Sequence, residues 1–430
     1  MNDLTKQRIE QVSRGEVPEK YRKRASGIVP CDWAEYSLGE IYKERKLAGD
    51  PKLPILTVSI HSGVSDGALN EDELGKKVKR IEDKTQYKTA KAGDLVFNMM
   101  RAWQGAIGVA RSDGLVSPAY IVAKPEHEVF PLFMDYYMKQ PRMVNMIHRQ
   151  SYGVTDFRLR LYWDSFAQIQ ISLPPLAEQK RIVEILSTQD RVIELLEKKV
   201  EQLQLLKKSY MQKMFPQPGS SEPEIRFHGF TGPWQQRKLR DIVKRITRKN
   251  QRLETKLPLT ISAQHGLIDQ NDFFDKKVAS EDVSGYYLIK NGEFAYNKST
   301  SLDAPWGAIK RLEKYEMGVL STLYIVFSIQ NEEEIDSNYL VTYYDTILWH
   351  KGIRAVAAEG ARNHGLLNIS SDDFFAMTLP VPESIEEQKR IGQFFQNLGN
   401  LISLHQRKRD EEVRKKQALM QLLLTGIVRV

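Results

Sequence analysis

Hydrophobic and polar positions follow two different patterns along the chain. Short β-rich runs such as LPILTVSI, DLVFNMM, SPAYIVA and AQIQISL are separated by Gly, Asp, Asn and Pro, which is typical of strands joined by turns. From Leu176 to Phe215 there is then neither glycine nor proline, and only a helix explains such a length. The pattern predicts a β-rich globular part followed by a long amphipathic helix.

The same order of elements occurs twice. The pentapeptide EQKRI stands at Glu178–Ile182 and again at Glu387–Ile391, each time after an apolar strand end that contains proline. LTVSIHSGV aligns with LTISAQHGL, YKTAKAGDLVFN with YYLIKNGEFAYN, and GLVSPAYIV with GVLSTLYIV, in the same order in both halves. Such collinear matches indicate an internal duplication. The chain is therefore expected to hold two similar domains, each closed by a helix.

Both helices carry an apolar seam with coiled-coil spacing, four and three residues apart in turn. The seam residues are Ile182, Leu186, Ile193, Leu196, Val200 and Leu203 in the first helix, and Ile391, Phe395, Leu398 and Ile402 in the second. Farther along, the second seam turns polar, at His405, Arg409, Glu412 and Lys416. An exposed apolar seam needs a partner, so we expect the two helices to pair antiparallel. The alternative is that each helix packs on its own domain.

These patterns predict an α+β fold class, with two tandem β-rich mixed α/β domains that are each followed by a long helix. The antiparallel helices would form a coiled-coil spacer between the domains. The predicted boundaries are an N-terminal segment at 1–30, a first globular domain at 31–175, a first helix at 176–216, a second globular domain at 217–382 and a second helix at 383–430.

Composition limits the class of protein. Hydrophobic residues make up 41% and charged residues 27%, as in ordinary globular proteins. No run approaches the length of a membrane span and the N-terminus is polar, so neither a membrane segment nor a signal peptide is expected. The single cysteine, Cys31, cannot form an internal disulfide, which favours a cytoplasmic location. The net charge of +8 fits a polyanionic partner without establishing one.

Catalytic signatures are missing from the sequence. The Pro-Pro pair at Pro174 is followed by leucine, which does not match an adenine-flipping motif, and there is no GxGxxG. One cysteine and eight histidines show no zinc-ligand spacing. Acidic pairs such as Glu386–Glu387 lie at predicted helix starts, where they stabilise the helix dipole. The sequence therefore predicts a non-catalytic protein.

Several phrases resemble the specificity subunit of type I restriction–modification systems. They are the repeated LP…EQKRI, MQKMFP, EIRFHGFTGPWQQRKL, YNKSTSLDAPWGAIKR and GARNHGLLNIS. The resemblance spans essentially the whole chain, although the first half lacks the YNKS and GARNHG phrases. It implies binding to double-stranded DNA, to two methyltransferase (modification) subunits through the helices, and to restriction subunits. S-adenosylmethionine and ATP would then belong to the partner subunits, and no cofactor to this chain.

The resemblance also implies that each domain reads one half of an asymmetric bipartite target. Base reading requires Arg, Lys, Asn, Gln or Ser/Thr side chains on loops that reach the major groove. The candidate DNA-binding residues are Arg101, Gln104, Tyr152, Thr155, Arg158 and Arg160 in the first half, and Lys298, Ser299, Thr300, Arg362, Asn363 and His364 in the second. The seam residues named above are the candidates for docking the methyltransferase subunits.

Other residues near these loops have different predicted roles. Basic side chains that suit phosphate contacts are Arg245, Arg248, Lys249 and Arg252. Trp103 and Trp306 are expected to pack beside the Gly-Ala-Ile strands rather than to stack on bases.

Two other functions remain open at this point. One is a non-catalytic coiled-coil scaffold whose two globular heads bind protein or carbohydrate. The other is a stand-alone DNA-modifying enzyme, which the missing catalytic motifs disfavour. Sequence-dependent DNA binding with a salt-dependent affinity would separate the specificity subunit from the scaffold.

Overall fold

The structure is a computed structural model that describes residues 3–60, 63–65, 83–126, 129–153, 158–262, 265–273, 280–301, 304–357 and 365–430. The chain forms two compact units. Unit 1 comprises Met1–Leu196 together with Lys408–Val430, and unit 2 comprises Glu197–Arg407. Each long helix is therefore shared between the two units.

Unit 1 begins with a helix and a hairpin and continues into a β-rich domain. Its strands are β1 (Tyr21–Arg24), β2 (Gly27–Pro30), β3 (Ala34–Ser37), β4 (Tyr42–Glu44), β5 (Val58–Ser59), β6 (Gly63–Val64), β7 (Lys88–Ala90), β8 (Leu95–Asn98), β9 (Ile107–Val109), β10 (Gly114–Val116), β11 (Tyr120–Pro125) and β12 (Gln170–Leu173). Its helices are α1 (Asp3–Ser13), α2 (Leu38–Ile41), α3 (Pro131–Met138), α4 (Pro141–Gln150) and α5 (Trp163–Ala167), followed by the long helix α6 (Leu176–Lys213).

Unit 2 repeats this sequence of elements. Its strands are β13 (Gln235–Lys238), β14 (Val243–Ile246), β15 (Leu259–Ser262), β16 (Gly266–Asp269), β17 (Tyr287–Lys290), β18 (Phe294–Asn297), β19 (Ala308–Arg311), β20 (Met317–Leu320), β21 (Ile325–Ile329) and β22 (Thr378–Val381). Its helices are α7 (Leu239–Ile242), α8 (Gln270–Phe273), α9 (Ser337–Asp345), α10 (His350–Ala357) and α11 (Ser371–Ala376), followed by the long helix α12 (Ile385–Leu423).

The two units share one sheet topology. Unit 1 has a four-stranded antiparallel sheet in the order β4-β11-β8-β9, and unit 2 has the order β14-β21-β18-β19. The smaller ladders also correspond: β3 pairs with β12 as β13 pairs with β22, β7 with β10 as β17 with β20, and β5 with β6 as β15 with β16. The tandem α+β architecture predicted from the duplication is confirmed.

Apolar side chains from each four-stranded sheet pack against the helices of the same unit. In unit 1, Phe97 on β8 is fully buried against Phe166 of α5, with ring centroids 4.8 Å apart. In unit 2, Phe294 and Phe327 stack at 5.3 Å, and Phe327 also meets Phe374 of α11. Strands β8 and β18 are central in their sheets, so their last residues are held firmly in place.

The first turns of each long helix pack on the domain that precedes it. Ile182 and Leu186 of α6 are fully buried in the core of unit 1, and Ile391 and Phe395 of α12 belong to the core of unit 2. Gly392 allows α12 to approach α9, because a Cβ atom there would lie 2.7 Å from Asn338. In its first turns, each long helix therefore packs on its own domain.

Farther along, the seams face each other within each unit. In unit 2, Leu203 packs with Leu398 and Ile402, while Tyr210 meets the ring of Phe394 at 5.2 Å. As the residue numbers rise along α6, the numbers of the residues they contact on α12 fall. The two helices therefore run antiparallel here. Val200 is also buried, and Ile193 and Leu196 are half-buried. The heptad spacing located the buried face of both helices.

The polar part of the second seam has polar partners in unit 1. Gln189 Nε2 donates to the Glu412 carbonyl at 3.2 Å and to the Glu412 side chain, and Lys416 forms an ion pair with Asp190. Helix α12 ends at Leu423 rather than continuing to 430, since Gly426 adopts a φ of 71° and Val428 N donates back to Leu422 O. The polar seam thus remains part of the helix contact.

Neither a membrane-spanning helix nor a metal-binding group of side chains is found in the part of the chain that the structure describes. No described helix is both long and apolar enough to cross a membrane. No described cluster of three or more His, Cys, Asp or Glu residues could hold a metal ion.

Candidate nucleic-acid interface

In each unit a central strand ends in an asparagine that starts a loop. Asn98 closes β8, and its side-chain oxygen accepts a hydrogen bond from Met100 N at 3.0 Å. Asn297 closes β18 and accepts from Ser299 N at the same distance. Such Asx turns fix the direction in which the chain leaves the strand. We call residues 98–105 loop A1 and residues 297–301 loop A2.

A second loop lies beside loop A1 in unit 1. We call residues 151–161 loop B1; in its described parts, 151–153 and 158–161, Tyr152 and Arg160 exchange backbone hydrogen bonds of 3.1 and 3.0 Å. Leu161 N then donates to the carbonyl of Met99 in loop A1 at 2.9 Å. The structure thus brings Arg101 of loop A1 close to loop B1, which carries Tyr152 and Arg160 and lies far from Arg101 in the sequence.

These two loops carry an excess of positive charge. Arg101, Arg158 and Arg160 are exposed, and none of them forms a salt bridge with a residue that the structure describes. Gln104 is exposed as well, and the Tyr152 ring, 58% exposed, packs against Tyr162 at a centroid distance of 5.1 Å. Guanidinium groups that have no carboxylate partner among the described residues suit phosphate oxygens or guanine edges.

Unit 2 pairs its loops in the same way. Residues 365–367, which we call loop B2, run beside loop A2, with Thr300 N donating to Gly365 O at 2.7 Å and Leu367 N to Lys298 O at 3.0 Å. The Thr300 hydroxyl also donates to Gly365 O, at 3.0 Å. Gly365 has a φ of 80°, a conformation that favours glycine. Lys298, Ser299 and Thr300 are therefore held beside the end of the GARNHG phrase.

Positive charge accumulates at Lys298. Burial lowers the pKa of its ammonium group, and the neighbouring positive charge of Arg245 lowers that pKa further. An incoming anion would relieve this repulsion. Arg248 and Lys249 are instead engaged internally: Arg248 pairs with Glu293 at 2.8 Å, and Lys249 donates to Gly285 O. Their predicted role in phosphate contact is therefore weaker than that of Arg245.

Four predicted residues lie outside the described part of the chain. They are Thr155, Arg362, Asn363 and His364. In the sequence, Thr155 lies between the two described parts of loop B1, and the other three directly precede Gly365.

The two tryptophans beside these loops pack as expected. Trp103 is partly buried, donates from Nε1 to Met100 O at 3.0 Å and meets the ring of His148 at 5.5 Å. Trp306 is partly buried against the core of unit 2, and its carbonyl accepts from the Tyr296 hydroxyl at 3.0 Å. Both indoles support the loops from within.

Sequence reasoning missed Asn98 and Asn297 as the residues that orient the loops. The signal was present, since VFN and AYN align at the ends of matching strands in the two halves. The alignment alone does not show what the two side chains bond, and in the structure both accept a hydrogen bond from a backbone N–H group.

The predicted docking residues on the helices are covered in part. Eight of the ten seam residues are less than 10% exposed and lie in helix or domain cores; they are Ile182, Leu186, Val200, Leu203, Ile391, Phe395, Leu398 and Ile402. On the long helices within unit 2, four other leucines are exposed, at 60% for Leu205, 44% for Leu206, 38% for Leu401 and 61% for Leu404. Such a group of exposed leucines marks a surface that another chain can cover.

Three of the exposed leucines, Leu206, Leu401 and Leu404, share one side of the helix pair. Leu401 and Leu404 are three residues apart, so they lie on one face of α12. Leu401 immediately precedes the seam residue Ile402, and Leu206 immediately precedes the seam position Lys207. In an antiparallel pair of right-handed helices, residues that immediately precede the seam fall on the same side of both helices.

The sequence matches the family described as "Type I restriction modification DNA specificity domain" twice, over residues 30–205 and 232–415. Solved structures are similar over nearly the whole chain. One belongs to work on complex assembly and conformational transition of the type I R-M system; it is 16% identical, covers 93% of this chain and 99% of that chain, and has a TM-score of 0.51. The S subunit of a type I restriction-modification system from M. genitalium is 12% identical, covers 91% and 96%, and has a TM-score of 0.52.

Proposed function

The chain belongs to the family of type I restriction–modification DNA specificity proteins, and on that premise we propose that each of its units reads one half of an asymmetric bipartite DNA target. Loops A1 and B1 would face one half-site, and loops A2 and B2 the other. Since the loops differ in sequence between the units, the two half-sites would differ too. The chain would supply sequence choice, with methyl transfer and cleavage left to partner subunits.

The paired loops are the observation that carries this proposal. Both units place a loop from a central strand beside a loop from the helical side, joined by backbone hydrogen bonds. In unit 1 that surface presents three arginines without an ion-pair partner among the described residues, and in unit 2 it presents Lys298 next to Arg245. The described residues of these four loops include no carboxylate, so a polyanion can approach them.

We further propose that methyltransferase subunits dock on the helices through exposed leucines. Leu206, Leu401 and Leu404 would form this contact in unit 2, because the seam leucines are already buried. The methyltransferase subunits would bring S-adenosylmethionine, and restriction subunits would bring ATP. The arrangement requires a compartment that contains DNA, which fits a cytoplasmic location.

Selection of duplexes from a random library by the full chain tests DNA reading. We expect two short conserved blocks separated by an unread spacer, with half-site centres about one helical turn, roughly 34–36 Å, apart or a multiple of that distance. Affinity for the selected duplex should fall steeply with salt. One continuous block, or recovery of random sequences, would contradict the bipartite proposal.

Lys298→Ala should weaken DNA binding about tenfold, because it removes a cation that faces the phosphates. The slope of log K against log salt concentration should become shallower by about 1, as for the loss of one phosphate contact. Fluorescence anisotropy over a salt series measures both quantities. Lys290→Ala, which removes an exposed lysine of the same unit outside the loops, is the control. An unchanged slope for Lys298→Ala would exclude the phosphate contact.

A further inference from the structure

Unit 2 contains a cleft of about 930 Å³ beside loop A2. One wall is formed by loop A2 itself, including Asn297, Ser299 and Thr300. The opposite wall is formed by the hairpin of β15 and β16 and by the start of α8, which contribute Ser262, His265 and Gln270. The candidate residues selected from the sequence thus occupy only one side of this cleft.

The opposite wall carries two polar side chains, those of His265 and Gln270. The side chains of His265 and Gln270 form no hydrogen bond with any residue in the described ranges. A glutamine carboxamide offers one acceptor oxygen and two N–H donors, and a neutral imidazole offers one of each. No carboxylate is found among the described residues that line the cleft. The cleft therefore tolerates a polyanion and offers groups that hydrogen-bond to neutral edges.

This wall is fixed by its own hydrogen bonds. Ser262 pairs with Gly266 across the β15–β16 hairpin, and its hydroxyl accepts a hydrogen bond from His265 N at 3.2 Å. Gln270 N donates to Pro258 O at 2.8 Å, which anchors the start of α8. A group that must discriminate between similar edges needs such a rigid support.

Apolar side chains stand at the rim of the cleft. Phe273 of α8 is 47% exposed and Leu323, before β21, is 54% exposed. Side chains of this kind can contact the methyl group of thymine, while Asn and Gln side chains pair with adenine. The cleft thus combines both kinds of contact that base reading in the major groove uses.

We propose that His265 and Gln270 determine part of the base specificity of unit 2, reading base edges from the wall opposite loop A2. Gln270 would pair with an adenine edge through its carboxamide, and His265 would contact a neighbouring base pair. The inference rests on the proposed function, since it assumes that unit 2 binds duplex DNA. It adds a second set of specificity residues on a different part of the fold.

Library selection with Gln270→Ala and with His265→Ala, each in the full chain, tests this inference. Each substitution should relax the preference at one or two adjacent base pairs of one half-site by about tenfold. The other half-site and the salt dependence of binding should stay as in the unsubstituted chain. Gln236→Ala, an exposed glutamine of the same unit on β13 outside the cleft, is the matched control and should change nothing.

The possible failures are distinguishable. If the unsubstituted chain prefers a target and both variants keep that preference at every position, the inference is wrong and the proposed function stands. A uniform loss of affinity across all sequences, with a shallower salt slope, would make these residues phosphate contacts and also overturn it. A chain that recovers no preferred sequence would overturn the proposed function and this inference together.

Discussion

Replacing Arg226 by methionine should destabilise unit 2 by about 3–5 kcal/mol, because it leaves a buried carboxylate without a partner. Arg226 donates from Nε and Nη2 to the two oxygens of Glu387, at 2.7 and 2.8 Å. The side chain of Glu387 is only 1% exposed, and it lies in the first turn of α12. The pair therefore ties the segment after α6 to the start of α12.

Hydrogen exchange resolved by peptide measures this effect within unit 2 alone. Amides in the first turns of α12 should exchange at least 100-fold faster in Arg226→Met, since local opening there becomes correspondingly easier. The double variant Arg226→Met with Glu387→Gln removes the uncompensated charge and should recover much of the loss. Exchange rates that stay unchanged in Arg226→Met would show that the ion pair contributes nothing to stability.

A corresponding ion pair in unit 1 provides an internal comparison. Glu178, the counterpart of Glu387 in the repeated EQKRI, pairs with Arg429 at 2.6 Å. Arg429 also contacts Asp32 and its side chain is 36% exposed, so solvent screens the pair. Arg429→Met should therefore cost less than Arg226→Met. Both pairs connect a helix start to a segment that follows the other long helix.

The repeat explains how much of the fold the sequence could predict. Strand runs, the helix seams and the duplication are local or periodic signals, so they could be recognised without knowledge of tertiary contacts. The role of Glu387 could not, because its partner lies far away in the sequence. The sequence indicated only that Glu387 stabilises the dipole at a helix start, whereas in the structure its carboxylate is also buried against Arg226.

The candidate interface shows the same limit. Lys298 and Thr300 were found because they follow a recognisable strand and belong to a family phrase. His265 and Gln270 were not, because nothing in their local sequence places the β15–β16 hairpin opposite loop A2. In unit 1 the pairing of Arg101 with loop B1 likewise depends on a backbone contact between Met99 and Leu161. Proximity across a fold is decided by strand order, which short motifs do not encode.

The combined change Leu401→Asp with Leu404→Asp should abolish docking of the methyltransferase subunits. Both leucines lie on the exposed side of α12, and burying one leucine contributes about 1.5–3 kcal/mol. Two buried aspartates would add an unpaired-charge penalty. We expect the affinity between this chain and its methyltransferase subunits to fall roughly 100-fold or more, as measured by size-exclusion chromatography and by titration of the purified proteins.

DNA binding separates loss of docking from loss of folding. Because both positions are exposed, the double variant should keep its helix content and its affinity for the selected duplex. Ser403→Asp adds a charge to the same turn on the opposite flank of α12, and it should leave docking unchanged. If Ser403→Asp impaired docking as much as the leucine changes, the partner would cover both flanks. If neither the leucine changes nor Ser403→Asp impaired docking, the methyltransferase subunit would dock elsewhere, and the exposed leucines would not be its contact.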